Sequence, residues 1–119
     1  MRMNRKSSSV IIAAASAVVA AGLLSTSAQA VSVSGQACTY FGDAFADHTV
    51  STSGSCAEAQ AKVEYINKAS GASGKQESTL GPGYQTTAII PLGLVIKTGN
   101  YVRSWNTGYG MQTAYVKIG

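Results

Sequence analysis

The first 30 residues leave only a small domain to fold. A basic start in residues 1–9, an apolar run over Val10–Leu24 and the triplet Ala28-Gln29-Ala30 follow one another. Signal peptidase accepts small residues at the first and third positions of such a triplet, so the sequence predicts a cleaved secretory signal at residues 1–30. A retained membrane anchor is the alternative, but the apolar run is shorter than the roughly 20 residues that a spanning helix needs. Residues 31–119 are therefore predicted to form a single secreted, extracellular domain.

Removal of the signal changes the charge of the protein. The whole chain has nine Lys and Arg against five Asp and Glu, and Arg2, Arg5 and Lys6 lie in the signal. Six basic and five acidic residues remain, a net charge of +1, and they are scattered along the chain. Electrostatic binding of nucleic acid needs clustered Lys and Arg, so a nucleic-acid partner is not expected. So few ionisable groups also argue against an enzyme.

Two cysteines, Cys38 and Cys56, lie in the exported part. An oxidising compartment favours a disulfide between them, and closing a loop of about 19 residues contributes roughly 3 kcal/mol to stability. Free thiols or half of a zinc site are the alternatives. Because the chain has one His and no further Cys, a tetrahedral zinc site lacks ligands. The sequence predicts a Cys38–Cys56 disulfide and no metal.

The strongest secondary-structure signal is that of a helix over Ala57–Ala69. Ser55-Cys56-Ala57-Glu58 has the form of a capping box, and good helix formers follow without Gly or Pro. The apolar stripe at i, i+4 and i+7 consists of Ala59, Val63 and Ile66, flanked by Tyr65. Gly71 stands where such a helix would end.

Short strands are predicted on both sides of this helix. Val31–Gln36 alternates apolar and polar residues, Cys38–Phe45 is a second strand or an ordered loop, and His48–Ser55 is typical of a loop. After Gly71, turn residues separate five short segments. These segments are Lys75–Leu80, Tyr84–Ile90, Leu94–Thr98, Tyr101–Trp105 and Met111–Ile118. We therefore predict an α+β fold with one helix packed on an antiparallel meander of four to five strands and one disulfide.

Candidate groups for acid/base chemistry are concentrated at one place. Asp43, Asp47 and His48 lie in the segment G-D-A-F-A-D-H. Asp is also an ordinary turn former, and three ligands are few for calcium. Neither a G-x-S-x-G nucleophile elbow nor a phosphate-binding P-loop occurs. We predict no catalytic site, no metal and no cofactor.

Aromatic side chains concentrate near the C-terminus and form the candidate binding surface. It consists of Tyr101, Arg103, Trp105, Tyr109 and Tyr115, with Asn106 among them. On a regular strand Tyr101, Arg103 and Trp105 point the same way, and such a face suits stacking on sugar rings or anchoring a protein. The alternative is that these rings build the core, since the domain has little Leu and only two Phe. Arg103 favours exposure, because an unpaired buried Arg is costly.

Several of these features resemble a group of exported bacterial proteins. They are the secretory signal, the segment S-C-A-E-A-Q-A-K-V-E-Y-I after an upstream Cys, and the Gly-punctuated C-terminal segments. Together they resemble short uncharacterised secreted proteins of high-GC Gram-positive bacteria (actinobacteria). The resemblance implies bacterial secretion and no particular activity.

The leading functional hypothesis is a small, non-enzymatic extracellular binding module. Its partner would be an unknown protein or a cell-surface glycan, bound through the aromatic surface. A secreted antimicrobial or toxin-like protein is one alternative, although the near-neutral charge counts against membrane attack. A secreted protease inhibitor that presents Gly81-Pro82-Gly83-Tyr84 or the disulfide loop is another. No second apolar run occurs, so no stable membrane insertion is expected after signal cleavage.

Overall fold

A computed structural model describes residues 30–119, and this part of the chain consists of β-strands and turns. The strands are β1 (Ala30–Ser34), β2 (Thr39–Ala44), β3 (Thr49–Thr52), β4 (Glu58–Asn67), β5 (Ser73–Glu77), β6 (Tyr84–Thr86), β7 (Val95–Trp105) and β8 (Val116–Lys117). They form two four-stranded antiparallel sheets, sheet A with the order β1-β2-β3-β6 and sheet B with the order β5-β4-β7-β8. The described residues contain no helix that could span a membrane. The predicted secretory signal lies outside them except for Ala30.

The two sheets pack face to face around a core of mostly small side chains. One core cluster joins Tyr40 of β2 to Ala59 of β4 and Val102 of β7, and none of the three has exposed surface. A second cluster joins Val63 and Val95 of sheet B to Ile90, which lies between β6 and β7. Such packing buries the inner face of each sheet, as in other two-layer β folds. Both sheets, the core and the disulfide are formed by residues 30–119 alone.

The predicted helix over Ala57–Ala69 is wrong, and with it the α+β fold class. The segment forms β4, which pairs with β5 on one side and with β7 on the other. Its inward residues Ala59, Ala61 and Val63 are fully buried and alternate with more polar outward residues. Apolar residues of this segment therefore recur with a period of two as well as 3.6, and the prediction used only the period of 3.6.

The residues that predicted the two ends of a helix have other roles. The Ser55 hydroxyl accepts a hydrogen bond of 2.8 Å from the Thr39 N–H instead of capping a helix. Gly71 has a φ of 75° and lies in the turn between β4 and β5. Glycine is favoured at such a turn for the same reason as at a helix end, because it adopts positive φ without steric cost. The capping pattern and the glycine therefore occur at turns as well as at helix ends.

The predicted meander is also wrong in its connections. Leu94–Thr98 and Tyr101–Trp105 belong to one long strand, β7, since Gly99-Asn100 continues the strand beside an irregularity of the pairing with β4. The segment His48–Ser55, predicted as a loop, contains β3 in the interior of sheet A. Consecutive strands also change sheets, because β6 joins sheet A between β5 and β7 of sheet B.

The predicted disulfide is confirmed. Cys38 lies in the turn before β2 and Cys56 lies just before β4, with Cα atoms 5.0 Å apart. Cys56 is buried and packs in the same cluster as Tyr40 and Val102. The bond therefore links the turn before β2 of sheet A to the segment before β4 of sheet B.

A buried amide forms a second link between the sheets. Asn100, on the inner face of β7, is fully buried. The two N–H groups of its Nδ2 are shared among three acceptors, the backbone oxygens of Phe45 (3.1 Å) and His48 (2.9 Å) and Thr49 Oγ1 (2.8 Å). Its Oδ1 accepts a bond of 2.6 Å from Lys97 Nζ. One side chain thus holds the connection between β2 and β3 against sheet B.

Two buried hydroxyl groups have no hydrogen-bond partner among residues 30–119. They belong to Ser51 on β3 and Ser104 on β7. Ser104 Oγ lies in a crowded place, since a Cβ built on Gly35 would come within 2.6 Å of it and within 3.0 Å of both disulfide sulfurs. A buried hydroxyl without a partner costs roughly 1–3 kcal/mol, so Ser104 destabilises the fold.

The substitution Ser104→Ala is therefore expected to raise the free energy of unfolding by about 1 kcal/mol. Ser78→Ala is the matched control, because Ser78 Oγ accepts from the Ala61 N–H and donates to the Thr79 carbonyl, both at 2.9 Å. Losing that buried bond is expected to lower the free energy of unfolding by about 1–2 kcal/mol. Urea denaturation of both variants measures the difference. A destabilised Ser104→Ala would show that its hydroxyl does have a partner.

Candidate functional site

The candidate aromatic residues lie on the outer face of sheet B. On β7 the buried residues Val102 and Ser104 alternate with the partly exposed residues Tyr101, Arg103 and Trp105. The buried residues face sheet A, so the other three share the face that no part of residues 30–119 packs against as a layer. These three side chains are half-buried, which lies between the two placements considered from the sequence, a core and a fully exposed surface.

Two tyrosines and two cations form one connected group, which we call the tyrosine–cation cluster. Its members are Lys62, Tyr101, Arg103 and Tyr115. Lys62 Nζ lies 4.6 Å from the centre of the Tyr101 ring and 4.3 Å from that of Tyr115. The Arg103 guanidinium lies 4.3 Å from the centre of the Tyr115 ring. Cation–π contacts at such distances are worth roughly 0.5–1 kcal/mol at exposed sites.

Polar neighbours on the same face hold this cluster in position. Tyr115 Oη donates to Glu77 Oε2 (2.8 Å), and Arg103 Nε donates to Gln60 Oε1 (2.7 Å). Lys62 pairs with Glu64 at 2.8 Å. The planar groups are thus fixed by bonds among β4, β5, β7 and the residue before β8.

The same bonds shift the ionisation of three of these groups. Burial, followed by the bond to Glu77, raises the pKa of the Tyr115 phenol above its usual value. In the other direction, the bond from Tyr115 lowers the pKa of Glu77, and the bond from Lys62 lowers the pKa of Glu64. Both carboxylates stay ionised and Tyr115 stays protonated at neutral pH, so the donor and acceptor roles are fixed there.

Trp105 and Tyr109 form a separate group at one end of β7. The Trp105 indole N–H donates to the Tyr109 backbone oxygen at 2.7 Å. Two bonds between Asn106 and Gln36, at 3.1 Å and 2.9 Å, tie the same turn to the connection between β1 and β2. The Tyr109 side chain remains exposed. The five candidate residues therefore divide into the tyrosine–cation cluster and this turn.

Of the three acid/base candidates, the structure brings together only two. His48 Nδ1 lies 2.7 Å from Asp47 Oδ1, and the imidazole stacks on the Phe45 ring with centres 4.3 Å apart. No hydroxyl group of the described residues is hydrogen-bonded to that imidazole. Asp43 lies on β2, where burial raises the pKa of its carboxyl. Within residues 30–119, no group of three His, Cys, Asp or Glu side chains could hold a metal ion.

Sequence reasoning missed two sets of residues. Gln60, Lys62 and Glu64 were assigned to a helix, although their alternation with Ala61 and Val63 is the signal of a strand. The second set is aliphatic. Ile66, Ile89, Leu92, Leu94 and Ile96 are exposed. The run I-I-P-L-G-L-V-I at residues 89–96 could have indicated them.

Comparison with known proteins adds no relative. No protein family, curated protein or solved structure matches the chain.

The segment considered as an inhibitor loop is hydrogen-bonded to residues on both sides of the fold. Gly81 exchanges backbone hydrogen bonds of 2.9 and 3.1 Å with Ala59, and Gly83 is bonded to both the backbone and the hydroxyl of Ser53. These bonds hold Gly81-Pro82-Gly83 against β4 and beside β3. Tyr84 follows in β6 with its side chain 68% exposed.

Proposed function

We propose that this protein is a secreted, non-enzymatic binding module that binds a cell-surface glycan through the outer face of sheet B. The observation that carries the proposal is the tyrosine–cation cluster on an open sheet face. Sugars combine apolar C–H surfaces with hydroxyl groups, and tyrosine rings beside charged planar groups offer a partner for each. A glycan is favoured over a protein partner because the cluster consists of aromatic and charged side chains and has no aliphatic centre.

Preorganisation supports the same proposal. The bonds of Tyr115 to Glu77, of Arg103 to Gln60 and of Lys62 to Glu64 hold the side chains before any ligand arrives. A surface whose rotamers are already fixed loses less entropy on binding, so its contacts contribute more to affinity. Trp105, on the same face of β7 as Tyr101 and Arg103, extends the aromatic surface toward the end of the strand.

The test is binding of the exported form to an insoluble cell-wall fraction from Gram-positive bacteria. We expect Tyr101→Ala to weaken binding about tenfold, because stacking on one ring contributes on the order of 1 kcal/mol or more. Tyr84→Ala is the matched control, since this tyrosine is exposed on the other sheet and should not affect binding. The bound fraction is measured by sedimentation over a range of wall concentrations.

Two treatments of the wall fraction separate the outcomes. Binding that survives protease treatment and is lost after enzymatic digestion of the polysaccharide supports a glycan. Binding lost after protease treatment points to a protein partner. Equal binding of Tyr101→Ala and the unsubstituted protein would contradict the proposed surface.

A further inference from the structure

The larger aliphatic side chains of this domain are concentrated on its surface. Residues 30–119 contain eight Leu and Ile, and five of them are exposed. The most exposed are Ile89 at 68%, Leu94 at 67% and Ile96 at 55%, and the other two are Ile66 and Leu92. A surface with so much of the available aliphatic content is unusual for a domain whose core is built mainly of Ala, Val and Tyr.

The five residues belong to the segment that leads into β7 and to the end of the neighbouring strand β4. Four belong to the segment 89–96, and Ile66 stands directly opposite Ile96 in the pairing of β4 with β7. The turn before β7 and the turn after β4 touch, because the Lys68 N–H donates to the Leu94 carbonyl at 3.1 Å. We call this surface the aliphatic end. It is separate from the tyrosine–cation cluster, which lies farther along the same two strands.

The aliphatic end has little charge within its own segments. Across the two segments 66–72 and 89–96, the single charged residue is Lys68, which is exposed. No acidic side chain occurs in either segment. The acidic residue bonded to these segments is Asp47, whose carbonyl accepts from the Ile90 N–H and whose carboxylate contacts His48. Segments with exposed aliphatic side chains and one cation complement a layer that is apolar inside and anionic at its surface.

The backbone of the protruding turn is suited to the same environment. The Pro91 carbonyl accepts from the N–H groups of both Leu94 and Val95, and Pro91 itself has no N–H. Backbone groups that are already paired lose less when they leave bulk water. Turns that project aliphatic side chains also fit a fluid lipid layer more readily than a rigid protein pocket, because the lipid adapts to their shape.

We propose that the aliphatic end docks on phospholipid bilayers with anionic headgroups, with the side chains of residues 89–96 entering the headgroup region and Lys68 meeting phosphate. The contact is peripheral and shallow. It goes beyond the proposed glycan binding and does not depend on it.

The experiment measures co-sedimentation of residues 31–119 with vesicles of phosphatidylcholine and phosphatidylglycerol, and with vesicles of phosphatidylcholine alone. The double substitution Leu94→Asn with Ile96→Thr is expected to weaken partition at least tenfold, given the apolar area it removes. Lys68→Gln is expected to weaken partition about fivefold on the anionic vesicles and to leave the neutral ones unchanged. Met111→Asn is the matched control, since Met111 is exposed at 71% and lies outside both segments.

Each further outcome decides the proposal. Failure of the unsubstituted protein to bind either vesicle, or equal binding of the double variant, would overturn it. Sedimentation velocity without lipid tests a second copy as the occupant: a dimer that dissociates on the double substitution would assign the surface to self-association instead. Matching urea midpoints establish that the variants are folded, and Tyr101→Ala should retain vesicle binding while losing wall binding.

Discussion

Asn100→Ala is expected to lower the free energy of unfolding by about 3 kcal/mol or more. The substitution removes the donor for Thr49 Oγ1 and for the carbonyls of Phe45 and His48, and the acceptor for Lys97. The two carbonyls each keep one other bond, from Lys97 Nζ and from the Phe45 N–H. Each lost hydrogen bond costs about 1 kcal/mol, and a small cavity remains in addition. Because a domain of this size has only about 5–10 kcal/mol of stability, the variant should be close to unfolding at 37 °C.

Two further variants show whether the donor itself matters. Asn100→Asp keeps the side-chain volume and the acceptor for Lys97. It replaces the donating Nδ2 by a second oxygen that faces the oxygens of Phe45, His48 and Thr49, so we expect the free energy of unfolding to fall at least as much. Asn67→Ala is the control, because Asn67 Oδ1 accepts from Ala69 and Ser70 in an exposed turn and its loss should cost about 1 kcal/mol or less. Urea denaturation followed by Trp105 fluorescence gives all three values. Equal losses for Asn100→Ala and Asn67→Ala would contradict the structural role of the buried amide.

Removal of the disulfide is expected to cost about 3 kcal/mol. Cys38 and Cys56 are 18 residues apart in sequence, and the bond limits the freedom of the unfolded chain between them. In a domain of this size such a loss lowers the midpoint of thermal unfolding by about 10–20 °C. Alanine is the better replacement, because Cys56 is buried among Tyr40, Ala59 and Val102, where a serine hydroxyl would find an apolar surrounding.

Reductant separates the crosslink from the packing of the sulfur atoms. Reduction of the unsubstituted protein should lower its midpoint by most of the difference seen in the double variant Cys38→Ala with Cys56→Ala. The double variant itself should not respond to reductant. Circular dichroism during heating measures both. A shift of less than about 3 °C on reduction would show that the crosslink contributes little to stability.

The wrong prediction of a helix at β4 shows that local sequence patterns do not decide between a helix and a strand in this segment. Helix propensities differ by less than about 1 kcal/mol per residue among the residues of Glu58–Asn67. Pairing with β5 and β7 satisfies the backbone of that segment on both sides, and burial of Ala59, Ala61 and Val63 adds to it. The free energy of these tertiary contacts exceeds the differences in helix propensity. In the sequence, only the period-two alternation of the segment indicated a strand.

The candidate site was predictable only in part. Tyr101, Arg103 and Trp105 share a face because they alternate along one strand, which needs no knowledge of the fold. Lys62 and Glu77 could not be assigned to the same group, since they lie on β4 and β5 and reach Tyr115 only once the sheet has formed. The division of Trp105 and Tyr109 from Tyr115 likewise depends on the turn after β7.

By itself the sequence determined the pairing of Cys38 with Cys56 and the alternation along the final part of β7. Both follow from properties of the residues themselves: two cysteines have one way to pair within a chain, and side chains of a strand point to opposite faces. Only the tertiary structure decided that β4 is a strand, that β6 belongs to the other sheet, and that five aliphatic side chains remain outside the core. These outcomes depend on which distant segments pair, because backbone hydrogen bonding and burial between strands are properties of the assembled sheets and not of a local window.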